Sequence, residues 1–182
     1  LRIAQAIRML ESGRWHEAGR QDEDAADALP DPNSLAAEEA SWSGAELLSL
    51  ISAALDRALD PAVEQALAND QASWNRDPKR LLAWRLYGEG LGQRGIAERC
   101  DHQQAWVSKL LQEKSLATSI ATAAAVELSR HPAFEGVGRS VEGAERLLDA
   151  LRNHLITPKQ EGDVAPLRQA VARSLATLHP QP

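Results

Sequence analysis

LGQRGIAERCDHQQAWVSKLLQEK, residues 91–114, is the stretch on which the reading of this chain turns. It predicts a short helix ending near Cys100, a tight polar turn, and a second helix starting near Gln103. Helices joined so closely cross at short range, which calls for a small residue at the crossing and apolar residues along the crease. Ala97 is the small residue, with Ile96 and Cys100 beside it, and Val107 and Leu110 follow ten and thirteen positions later. These five are the expected core of the pair. Gln103, Gln104, Ser108, Lys109 and Gln112 then fall on the outer face of the second helix, and Arg94 stands at the start of the first. The turn holds Asp101, a residue that tolerates left-handed backbone, followed by His102.

Moving outward, residues 79–87 predict a supporting helix with Leu82, Trp84, Leu86 and Tyr87 apolar, Lys79, Arg80 and Arg85 on its wet side, and Gly88 placed to end it. Beyond Lys114 the chain has no proline or glycine before His131. This predicts one helix of about 27 residues or two joined near Ser115, with Leu110, Ala117, Ala121, Ala124 and Leu128 on one stripe. Such small residues suit close approach by another helix, either inside the molecule or across a homodimer. On the other side, Ser43 with Glu46 makes a capping box for a helix over 44–59, whose stripe is Leu47, Ile51, Leu55 and Ala58. Asp60-Pro61 reads as the opening of the next helix, with Val63, Leu67 and Trp74 facing one way until Asp77-Pro78 breaks it.

The ends are simpler. Residues 1–18 read as a helix closed by Gly19, 20–33 as an acidic, proline-punctuated linker, and Ser34 as the cap of a short helix reaching Trp42. HPAFEGVGRS (131–140) reads as a loop, and Ser140 begins a helix with Ala144, Leu147, Leu148, Leu151 and Leu155 inward. Pro158 and Gly162 close it, and Val164, Leu167, Val171, Leu175 and Leu178 mark a last amphipathic helix. The expected fold is all-α, a multi-helix bundle. Its parts are an N-terminal helix and linker (1–33), a helical domain (34–130), and a C-terminal helical hairpin (131–182) packed on that domain or forming a dimer face.

Composition narrows the function. The chain of 182 residues carries a net charge of −6, which opposes nucleic-acid binding until it is divided along the sequence. Residues 1–75 hold five basic and fourteen acidic side chains, residues 76–115 eight and five, and residues 116–182 seven and seven. Positive charge is thus concentrated where the paired helices lie, as a surface facing an anionic polymer requires. Five tryptophans among seven aromatics read as anchors between helices. The single Cys100 excludes an internal disulfide and a cysteine-cluster zinc site, and points to a reducing cytoplasm. No run reaches membrane-spanning length, and no secretory signal is visible. The chain begins at Leu1 rather than Met, which leaves a segment upstream of it open. The five histidines are scattered without metal-ligand spacing, and GEGLGQRG (88–95) lacks both the preceding strand and the lysine of a phosphate loop. No catalytic constellation can be assembled, so neither an enzyme nor a cofactor is expected.

LLAWRLYGEGLGQRGIAERC (81–100) and the helix pair it leads into resemble bacterial helix-turn-helix segments, most closely the promoter-reading last region of sigma factors and sigma-like regulators of cyanobacterial type. The match covers residues 80–115. It implies double-stranded DNA as partner, with Gln103, Gln104, Ser108 and Lys109 reaching bases and Gln112 on the same outer face. Arg94, Arg99 and Lys114 would hold phosphates. The chain departs from that pattern where glycine and an aliphatic residue are common, placing Asp101 and His102 there. A competing reading is a non-catalytic protein–protein adaptor whose helix-turn-helix has lost DNA. In that reading the acidic front half meets RNA polymerase or another protein.

Overall fold

The computed structural model describes residues 42–74, 77–134, 136–137 and 139–178. The helices expected over 1–18 and before Trp42, and the acidic linker, lie outside the described residues. Those described form seven α-helices and one 3-10 turn, with no strand among them: α1 (Gly44–Trp74), α2 (Pro78–Gly88), α3 (Gln93–Cys100), α4 (Gln104–Leu111), α5 (Glu113–Ser129), the turn Pro132–Phe134, α6 (Val141–Ile156) and α7 (Pro166–Leu178). The fold is an all-α bundle. α1 lies along α5, α6 also packs on α5, and α7 closes over α1 and α2. The small helices α3 and α4 pack on each other and on α2.

Local signals set several of these boundaries. Ser43 and Glu46 form the expected reciprocal cap, the Ser43 N–H donating to Glu46 Oε2 (2.7 Å) and the Glu46 N–H to Ser43 Oγ (3.2 Å). Asp77 caps α2 through the Lys79 N–H, with Pro78 at its first turn. Ser140 caps α6 by accepting from the Gly143 N–H.

Elsewhere tertiary packing overrides the local reading. The expected helices over 44–59 and from Pro61 are one continuous helix, with Pro61 inside it. Ile51, Leu55, Leu59, Val63 and Leu67 are all buried at four-residue spacing, so the inward stripe crosses Pro61 without losing phase. Burying that stripe outweighs the one backbone hydrogen bond that proline removes. The break after α4 falls at Gln112 rather than Ser115, which lies inside α5. Gln112 is left-handed (φ 39°, ψ 41°), and this turn lets α5 run along α1 while α4 stays against α3. Ala117, Ile120, Ala121 and Ala124 are fully buried, so the small-residue stripe of α5 is occupied inside the molecule by α1 and α6.

Three smaller expectations also change. On α6, Ala144 is exposed and Leu148 half-buried, while Leu147, Ala150, Leu151 and Leu155 face inward. Of the tryptophans whose side chains are described, Trp84 is buried, Trp106 half-buried and Trp42 exposed. The loop over 131–140 contributes to the core through Ala133, Phe134 and Val137.

Candidate nucleic-acid interface

α2 ends in a turn that aims α3. The Gly90 N–H donates to Tyr87 O (3.0 Å) and the Leu91 N–H to Leu86 O (3.1 Å), and Gly90 takes φ 95°. This is a Schellman ending, so the left-handed role expected of Gly88 belongs to Gly90. Gly88 serves a different need: a Cβ there would lie 3.1 Å from Ala172 Cβ of α7. The absent side chain lets the two helices approach closely. From α7, Arg168 lies over the Tyr87 ring (4.4 Å) and donates to Tyr87 O (3.3 Å) and Leu91 O. α7 therefore holds the corner from which α3 starts. Burial foremost, and the nearby Glu113 carboxylate, push the Tyr87 phenol well above its ordinary range, so it is neutral.

α3 ends the same way with an aspartate in the glycine's place. The Asp101 N–H donates to Glu98 O (3.4 Å) and the His102 N–H to Ala97 O (3.0 Å), while Asp101 adopts φ 55°, ψ 51°. Aspartate tolerates this region better than most residues, which is how the turn forms without glycine. Ile96, Ala97, Cys100, Val107 and Leu110 are all buried, Ile96 and Val107 completely. These five, together with Leu111, belong to the apolar core of the described residues. Burial raises the pKa of the Cys100 thiol, which faces the Lys79 carbonyl at 3.7 Å. It acts as a small apolar group rather than a nucleophile.

The opposite face of α4 is open. Gln103, Gln104, Ser108, Lys109 and Gln112 are all exposed, as are Arg94, Arg99 and Lys114. Gln103 precedes α4 in extended backbone, so its side chain and that of Gln104 stand at the helix's positive end. Two carboxylates interrupt the basic surface. Glu98 accepts from Arg94 Nε at 3.2 Å within α3, and Asp101 lies 3.9 Å from Lys79 Nζ. Arg80 of α2 joins the site, lining a recess with Trp106, Lys109, Leu110 and Gln112.

Two features escaped the sequence reading. The imidazole of His102 stacks on the indole of Trp106, with centroids 4.0 Å apart and planes inclined by 13°. The i,i+4 spacing of two planar side chains across a helix start was the available signal. Arg168 acts across 77 residues of chain, and no local pattern announces it.

No family model, no curated protein and no solved structure matches this chain. Among the described residues no group of three or more His, Cys, Asp or Glu side chains could hold a metal ion. Within the same residues no helix is long and apolar enough to cross a membrane.

Proposed function

We propose that this chain is a DNA-binding transcription regulator, sigma-like in its resemblance, in which α3, the Asp101 turn and α4 act as a helix-turn-helix. α4 would lie in the major groove of double-stranded DNA. One observation carries the reading: α4 is buried along Val107, Leu110 and Leu111, yet presents Gln103, Gln104, Ser108 and Lys109 to solvent. Amide side chains at the start of such a helix match adenine edges, and lysine matches guanine or phosphate. Arg94, Arg99 and Lys114 flank that face as phosphate contacts. The Arg94–Glu98 pair is surface-exposed and worth little, so exchanging the carboxylate for a phosphate costs little.

The test is a salt titration of binding by the full chain on selected and scrambled duplexes. Arg94→Ala should lower affinity on every sequence alike and reduce the salt slope by about one. Gln104→Ala should cost about 1–3 kcal/mol on the selected site and little on scrambled DNA. Lys109→Ala can follow either pattern, because its point charge serves a guanine or a phosphate. A second reading, a protein-binding adaptor, is favoured by Glu98 and Asp101, whose exposed carboxylates bring negative charge to the face that would meet a polyanion. It prevails if the full chain binds no duplex at low salt.

A further inference from the structure

The geometry points to a thymine-methyl reader built from His102 and Trp106 at the start of α4. The inference rests on α4 entering the major groove, and it adds two residues to that face together with the sequence feature they select. Both rings are held in place. The His102 backbone is tied into the α3 ending by its N–H bond to Ala97 O (3.0 Å). Trp106 packs partly against the core, and the imidazole lies flat on its indole at 4.0 Å. The outcome is a planar ring surface on an exposed corner, stacked before any ligand arrives.

Its neighbours decide what it can meet. Asp101, adjacent in the turn, presents a fully exposed carboxylate whose pairing with Lys79, at 3.9 Å and in water, offsets its charge only weakly. That charge repels phosphate, so this corner is suited to base edges rather than to the backbone. The C5-methyl of thymine is the apolar group on the major-groove edge, and a ring face is its natural partner. Gln103 and Gln104 stand beside the stack and offer amides suited to adenine N6 and N7. Together the four side chains are complementary to successive A·T pairs: adenine to an amide, thymine methyl to a ring.

Deoxyuridine tests this directly, because it removes the methyl and leaves every hydrogen-bonding group in place. Duplexes are first selected from a random pool by the full chain. Each thymine of the selected site is then replaced in turn by deoxyuridine. At one or two positions affinity should fall roughly three- to ten-fold, the scale of losing one buried methyl against a ring. His102→Ala, an exposed substitution that leaves the core untouched, should bind the thymine and deoxyuridine duplexes alike. Trp106→Ala, checked for native helical content, should do the same. Duplex binding with no loss at any deoxyuridine overturns the inference and leaves the DNA reading standing. A methyl preference that survives undiminished in both variants overturns the assignment to these rings. If no duplex is enriched at all, both readings fall.

Discussion

Two non-glycine residues among those described hold positive φ, Asp101 and Gln112, and they bracket α4 at its two ends. They differ in cost. Aspartate is among the residues that visit left-handed backbone with modest strain, whereas glutamine lacks a short side chain able to bond locally and bears more of the about 1–2 kcal/mol. Gln112→Gly should therefore stabilise the protein by about 0.5–1 kcal/mol, after allowing for the entropy glycine adds to the unfolded chain. Chemical denaturation would show a raised midpoint; a lowered one would mean that Gln112 holds the α4–α5 corner through contacts of its side chain. Ala97 makes the opposite case. It is 5% exposed in the crease between the paired helices. Ala97→Leu adds three heavy atoms where a methyl fits, and should cost about 1–3 kcal/mol of overpacking strain. An unchanged thermal midpoint would show that the crease has room to spare.

At the level of whole helices, Pro61 separates the local reading from the tertiary one. If Asp60-Pro61 opened a second helix, proline would be well placed and its removal neutral or harmful. Inside a continuous α1 it removes a backbone hydrogen bond and crowds the preceding turn. Pro61→Ala should then stabilise by about 1–3 kcal/mol, read from urea midpoints, and a loss of stability would restore the two-helix boundary. The same contrast explains what was legible in the sequence. The helix starts at Ser43 and Ser140 were readable because each cap is a bond between residues three apart, while Asp77, read only as a break, proved to cap α2 as well. The burial of Ile96, Ala97, Cys100, Val107 and Leu110 was readable from spacing alone. The continuity of α1 was not, because its cause is the in-phase burial of Ile51 through Leu67 against α5 and α7, helices 46 or more residues away in the chain. The close approach of Gly88 to Ala172, and the clamp of Arg168 on Leu91 O, were hidden for the same reason. The inward face of α6 was read with Ala144 where Ala150 belongs, since the two are equally apolar and only packing separates them.

At the largest scale, one apolar core joins the described residues from Leu47 to Leu175, so α1, α6 and α7 share the burden of folding with the helix pair. A cleft where those three helices meet is lined by Asp56, His154, Lys159, Asp163 and Arg173, with Leu55, Leu59 and Leu155 as its apolar wall. Burial foremost, and then the positive charge of Lys159, lower the pKa of His154 from its ordinary 6.5 to about 4. The consequence for stability has a definite sign. Above about pH 6.5 the imidazole is neutral in both folded and unfolded chains, and its burial carries no protonation cost. As pH falls below that value, the unfolded chain binds a proton that the folded chain refuses until about pH 4. Stability should therefore drop between those limits, by up to about 2 kcal/mol between about pH 7.5 and about pH 5. Urea unfolding at those two values measures the drop, and His154→Gln, which has no proton to gain, supplies the comparison. The variant should lose less stability over that interval than the parent chain. Equal losses in the two proteins would mean that His154 titrates in the folded state much as it does in the unfolded one, and that other groups set the acid sensitivity of the bundle.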